Sequence, residues 1–381
     1  MIGVFLTKRN IGEGGGKTIT DEIFFSFIKK LNKKDKNFIF LISNDPDDFY
    51  VKELKKKKLK YKKIYENTKL KKILIFISNL SKTVNYILCK LNILKLDNFF
   101  KKQQCKLIWF LSSEYREPIK TPYIATVWDL QFKTHPQFDE VGSIFKILFK
   151  DIVHINFIRN ATKVITGTNI GKRQIIKFTG FKKNFIILPH PVSDIFLNTK
   201  KINKKNLDKR LIREKYFLYP ANFWKHKNHI NLIKAFYQFQ KKYPCFKLVF
   251  TGKKENNYKN IISLIKNLKI KNKIIIFKYL NFKKLITLYD NCFAVTYVSY
   301  SGPENLPPIE TIARKKILIN SIYDGVHEQL KDYPIYVKPN SVSDILRGMI
   351  RSTKISKNKK KKFKLKTSNN YIKNLENEFY R

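Results

Sequence analysis

Acidic residues are scarce: 29 Asp and Glu stand against 78 Lys and Arg in 381 residues, a formal net charge of +49. Such a surplus points to nucleic acid, an anionic membrane or a polyanionic substrate as partner. The excess is nearly all lysine and comes with abundant Ile, Asn, Phe and Tyr. AT-rich codons encode that mixture, so base composition alone can supply part of the charge. The lysine runs 55–58 and 359–364 contain no arginine and a single aromatic, Phe363, which argues against a base-reading surface there. Cysteine is equally sparse. Cys89, Cys105, Cys245 and Cys292 form no CxxC pair and no Cys/His cluster, so reduced core cysteines of a cytoplasmic protein are expected. No uncharged apolar run approaches the ~18 residues of a membrane-crossing helix. Met1–Leu6 is too short for a signal-peptide core and reads as a first strand.

What is present is a repeating α/β pattern. A chain above roughly 250–300 residues outgrows one core, so two domains are expected. Apolar runs of four to six residues alternate with helical periodicity, which implies a mostly parallel sheet in each half. Strands are predicted at 4–7, 38–43, 107–111, 123–128 and 163–166, then at 217–220, 246–251, 274–277, 293–298 and 317–320. Helices are predicted over 18–32, 258–268, 282–289, 307–316 and 369–380, and from Asn228 as N-cap onward. Residues 64–100 carry helical spacing with scattered lysine, as on an amphipathic surface helix. The Lys/Asn-rich stretch 198–213 reads as a linker. The division is therefore 1–197, linker 198–213, 214–365 and a terminal helix 366–381.

Two segments carry chemistry. Gly302-Pro-Glu-Asn-Leu-Pro-Pro-Ile-Glu310 lies between a strand and a helix that begins at proline, a turn whose backbone N–H groups face an anion. Glu310 falls about one turn into that helix, where its carboxylate can accept hydrogen bonds from vicinal sugar hydroxyls or simply favour the helix dipole. Tyr219-Pro-Ala-Asn-Phe-Trp-Lys-His-Lys-Asn228 is the second. Together they resemble the donor-binding half of glycosyltransferase family 4, the retaining GT-B enzymes. That resemblance implies two Rossmann-like domains facing a cleft, with the last helix crossing back to the first domain.

The resemblance also assigns residues. In the family, an Arg and a Lys five apart neutralise the donor diphosphate; those positions here are Asn222 and Lys227, and the neutral Asn222 either leaves Lys225 or Lys253 to compensate or weakens diphosphate binding. The family's Glu-x7-Glu places its distal member at Glu310, expected on the donor ribose, and its proximal member at Gly302, so the proximal carboxylate is missing. Glu304, or the backbone N–H groups of Asn305 and Leu306, then stand for the contact with the donor sugar. Asp129 follows Trp128, which replaces the family's His, and is expected either to contact the acceptor or to cap the next turn. The Gly14-Gly15-Gly16 loop is expected to bring backbone close to donor or acceptor. A P-loop would need glycine where Ile11 stands, and His226 with His229 lack further metal ligands. No metal and no cofactor are implied. The expected activity is transfer of a hexose from a GDP- or UDP-sugar, with mannose favoured, to a growing or lipid-linked glycan of a surface polysaccharide. An anionic membrane face is a further partner and nucleic acid is not expected. A GT-B epimerase, a non-catalytic nucleotide-sugar binder and a basic nucleic-acid-binding protein remain as alternatives.

Overall fold

The computed structural model describes residues 1–7, 14–43, 48–64, 68–91, 93–111, 117–278, 280–355 and 363–379. The chain divides into two compact units. The first comprises Met1–Pro136, Val141–Pro189 and Asn369–Arg381, and the second Gln137–Glu140 and His190–Ser368. The division falls at Pro189, and the polar stretch 198–213 lies inside the second unit. Leu207 and Leu211 hold it there, because both are buried in that unit's core.

Each unit is built on one wholly parallel sheet. The first has strands β1 (Ile2–Leu6), β2 (Phe38–Ser43), β3 (Tyr61–Ile64), β4 (Leu107–Phe110), β5 (Tyr123–Thr126), β6 (Lys163–Thr166) and β7 (Phe185–Ile187), in the order 3-2-1-4-5-6-7. The second has β8 (Lys215–Pro220), β9 (Phe246–Thr251), β10 (Ile274–Phe277), β11 (Ala294–Tyr297), β12 (Ile317–Ser321) and β13 (Ile335–Val337), in the order 10-9-8-11-12-13. Both orders start at the centre, run to one edge and return to the other side, the doubly wound Rossmann plan. The continuous apolar runs follow from helices covering both faces: β1 and β2 are buried at every position.

The terminal helix Ser368–Phe379 packs with the first unit. Phe379 lies against Phe27, Phe38 and Trp109, with ring centroids 6.4, 5.7 and 5.6 Å away. Among the described residues no helix is long and apolar enough to cross a membrane.

Candidate active site

In a doubly wound sheet, ligands bind beyond the carboxyl ends of the strands where the winding reverses. In the second unit that point lies between β8 and β11. The chain leaves β8 through residues 221–228 and β11 through residues 298–305, the two segments that carry the motifs.

The β8 exit is a short 3-10 turn, Lys225–Lys227, closed by Asn228 in the left-handed region at φ 59°. Asn228 stands at the N-cap position of the helix His229–Lys242, yet its side chain makes no capping bond. Its amide instead donates to Val298 O (3.0 Å) and Pro339 O (2.6 Å), tying the turn to the ends of β11 and β13. Tyr219 Oη donates to the Lys227 carbonyl. The turn is thereby fixed from three strands, and Lys227 projects from it.

Lys227 Nζ donates to Tyr297 Oη (2.8 Å) and approaches Asn305 Oδ1 (3.4 Å), while Tyr297 Oη donates to that same Asn305 oxygen at 2.7 Å. The ammonium also sits 5.3 Å from the centre of the Tyr297 ring. Two loops from adjacent strands thus meet at one cation.

Asn305 does more than its backbone suggested. Its N–H donates to Gln329 Oε1 (3.1 Å), Gln329 Nε2 returns a bond to Asn305 O (2.9 Å), and Asn305 Nδ2 reaches Gly302 O (3.2 Å). The N–H expected to meet a sugar is therefore occupied by Gln329. Leu306 begins the helix Leu306–Ala313, one residue earlier than predicted, with proline just inside the first turn.

Gly302 explains the missing carboxylate. Its φ is +116°, and a Cβ there would lie 2.8 Å from Asn305 Nδ2 and 3.0 Å from Oδ1. The space a glutamate would need is filled by the amide that steadies Lys227. Gly302→Glu is expected to destabilise the protein by at least the roughly 1–3 kcal/mol of a forbidden backbone conformation, and to displace Asn305. Calorimetric melting checks it. An unchanged melting temperature would show that the loop relaxes at no cost.

Glu304 turns away from this cluster. Its Oε1 accepts the backbone N–H of His190 (2.8 Å), and its Oε2 is 3.5 Å from His190 Nε2. Burial pushes the Glu304 carboxyl up to about 8 and the His190 imidazole down to about 3. Glu310 is also buried, accepts Tyr289 Oη at 2.7 Å, and is pushed by burial up to about 7.

These shifts give the stability a pH dependence of definite sign. A buried carboxyl raised from 4.5 holds a proton that the unfolded chain has released. Its contribution is full below pH 4.5 and is lost as pH rises through about 8 for Glu304 and about 7 for Glu310. His190 and His229, both lowered from 6.5 to about 3 by burial, contribute stability present above pH 6.5 and lost as pH falls. The pairs oppose each other between pH 4.5 and 6.5, and only the carboxyls act above it. Stability should therefore fall from pH 6.5 to 8.5, by on the order of 2 kcal/mol for Glu304, and the melting temperature should fall with it. Glu304→Gln should flatten most of that fall; an equally steep profile would refute the assignment.

Asn222, at the family's arginine position, accepts the Lys253 N–H at 2.9 Å through Oδ1 and so fastens the β9 exit to the β8 exit. These loops touch closely enough that a Cβ on Gly252 would lie 2.3 Å from Ala221 O. His226 and Lys225 are held by residues that no sequence motif links to this turn. Glu140 accepts both the ring Nδ1 and the backbone N–H (2.9 Å) of His226, and also Asn256 Nδ2 (3.3 Å). Burial works to raise the Glu140 carboxyl, but the His226 bonds hold it at about 2. Lys225 pairs with Asp139 at 3.4 Å. His229 instead stacks on Phe223, centroids 4.8 Å apart, so the two histidines serve different packing roles. Among the described residues, no three His, Cys, Asp or Glu side chains gather in a metal-holding group.

In the first unit, Asp129 is exposed and its Oδ1 accepts the Gln131 N–H (3.0 Å), the turn-capping role. Gly14, Gly15 and Gly16 form the first turn of the helix Gly14–Lys30 rather than a loop. Thr20 Oγ1 bonds Gly16 O at 2.9 Å within that helix. The preceding Gly12 and Glu13 lie outside the described residues. A Cβ on Gly16 would be 3.9 Å from Trp128, which is buried.

Residues 200–373 match the family model described as "Glycosyl transferases group 1". The O-antigen chain mannosyltransferase RfbU of Salmonella typhimurium is 26% identical over 140 residues, which is 36% of this chain and 38% of that protein's length. A glycosyltransferase from Rickettsia africae is 18% identical with a TM-score of 0.62, over 93% of this chain and 88% of its own. Anabaena HepE, solved in complex with UDP and glucose, is 13% identical with a TM-score of 0.64, over 94% and 91%. At these identities the structural likeness shows the fold alone, which is GT-B.

Proposed function

We propose that this chain, whose residues 200–373 match the glycosyl transferases group 1 family model, moves a sugar from a nucleoside-diphosphate sugar to a glycan with retention of configuration. One observation carries the reading most directly. Lys227 projects from the β8 exit and Glu310 belongs to the helix that follows the β11 exit, the two strands between which the winding reverses. Lys227 would neutralise the diphosphate as it departs, where charge builds in an oxocarbenium-like transition state. Glu310 would accept the ribose hydroxyls, and the leaving phosphate would take the acceptor proton, since no side chain is assigned as general base.

Similarity to RfbU supports mannose as the sugar and a surface polysaccharide as the product, with a GDP- or UDP-linked donor and a growing or lipid-linked acceptor on the cytoplasmic side. Neither a cofactor nor a metal enters this reading. Calorimetric titration with UDP-, GDP-, ADP- and dTDP-sugars tests it. Selective binding of one nucleotide is expected, and binding of none would refute it. Gly302 favours a second reading, a nucleotide-sugar epimerase or non-catalytic binder, because the family's proximal carboxylate is absent. Product analysis separates these: a transferase consumes donor only with acceptor, an epimerase turns it over alone, and a binder leaves it intact.

A further inference from the structure

Exposed apolar side chains are concentrated in one part of the first unit. Of fifteen large hydrophobic residues exposed among the described residues, ten fall between Ile73 and Ile93 or between Ile144 and Leu148. Phe145 is 79% exposed, Ile144 77% and Leu91 65%. In the second unit such residues stand singly, as on any soluble surface.

Eight of the ten sit on helices that pack together, and Leu91 and Ile93 follow directly on the second of them. Thr68–Leu80 is followed directly by Lys82–Lys90, and Ile144–Phe149 continues helically through Lys150–His154 to Arg159. Phe76 stacks on Phe149 with centroids 5.9 Å apart, and Asn156 Nδ2 donates to Asn79 O at 3.0 Å. Helical spacing puts Ile73, Ile77 and Leu80 on one stripe, Ile87 and Leu91 on another, and Ile144 and Leu148 on a third.

The exposed charge around them is mostly positive, and Asp151 on the helical continuation is paired with Lys133. From Thr68 to Leu96 the sequence has six lysines and no Asp or Glu, and the exposed Lys146 lies on the same helix as the third stripe. Lys120 stands 5.7 Å from the ring of the exposed Tyr86. Soluble monomers seldom leave so much apolar surface contiguous. A second copy of this chain would bring lysine against lysine on a molecule already at +49. An anionic bilayer satisfies both features, taking the apolar stripes below its headgroups and pairing the lysines with them.

We propose that these helices form a membrane-docking face that inserts Ile144, Phe145, Leu148 and the stripe Ile73–Ile77–Leu80 into the interface of an anionic bilayer. This goes beyond the donor-site reading and does not depend on it.

The test uses the full chain with phosphatidylcholine vesicles and with vesicles containing one third phosphatidylglycerol. A chain this basic will adsorb to anionic vesicles electrostatically, so insertion must be read separately. Phe145→Trp, compared with the parent protein, should show a blue-shifted emission with anionic vesicles and quenching by acyl-chain-brominated lipid. Ile144→Ser/Phe145→Ser/Leu148→Ser should lose about tenfold or more in partitioning at about 1 M salt, where the Debye length is only ~3 Å, with its circular dichroism unchanged. An unshifted emission from the Phe145→Trp variant overturns the proposal, as does equal binding to neutral vesicles. So would a vesicle-free dimer, seen by sedimentation, that the triple variant converts to monomer.

Discussion

Lys227→Ala should weaken binding of the nucleoside-diphosphate sugar by about 10- to 150-fold, the worth of one charge-assisted hydrogen bond of roughly 1.5–3 kcal/mol. The ammonium donates to the neutral oxygens of Tyr297 and Asn305, and Tyr297 Oη already donates to Asn305. Replacing the lysine leaves those two bonded to each other, so the fold should survive. The loss should therefore appear in the dissociation constant with the melting temperature nearly unchanged. Tyr297→Phe isolates positioning from charge: it keeps the ring beneath the ammonium and removes one anchor, so a loss of only a few-fold is expected. Titration calorimetry on both variants decides it. Full-strength binding by Lys227→Ala would exclude Lys227 from the diphosphate site.

Arg314→Ala should be the most damaging single change to stability, at about 3–5 kcal/mol. Arg314 and Asp290 are both buried and joined in a fork, Nε to Oδ1 and Nη2 to Oδ2, each at 2.8 Å. The third guanidinium nitrogen donates to Phe196 O (2.9 Å) and Thr199 O (2.8 Å), and Asp290 also accepts the Ile202 N–H. One side chain thus fastens the 190–202 segment to the helix that carries Glu310. Removing it strands a buried carboxylate and two carbonyls. For a unit of this size the fall in melting temperature is roughly 6–20 °C. Arg314→Lys should recover only part, since an ammonium cannot reproduce the fork. A loss below about 1 kcal/mol would mean that water replaces the guanidinium.

The parallel architecture was legible because strands buried on both faces become unbroken apolar runs; β2, β6, β9 and β10 lie where their runs predict. Edge strands escaped notice for the opposite reason. β3, Tyr61-Lys-Lys-Ile64, is half-exposed and rich in lysine, and β13 has three residues. The helix Val342–Thr353 could have been found: Ser341 Oγ accepts the Asp344 N–H (3.1 Å), a Ser-x-x-Asp cap before an amphipathic run. In the candidate site, Lys227 and Glu310 are singled out by the resemblance to glycosyltransferase family 4. Tyr289, Tyr297 and Gln329 are not, because strand and helix tyrosines read as core and no local pattern links Gln329 to Asn305. Glu140 is 86 residues from its partner His226, beyond the reach of any periodicity.

The placement of the terminal helix sets an order on biosynthesis. Phe379 completes the ring cluster of Phe27, Phe38 and Trp109, but it leaves the ribosome 190 residues after Pro189, where the rest of the first unit ends. At about 5–20 residues per second that interval is roughly 10–40 s. Throughout it the first sheet must keep an aromatic face uncovered while the second unit, whose residues are nearly all contiguous, can finish folding. The nascent first unit is thus open to aggregation over that interval, and the last helical turns, not the first βα units, end it.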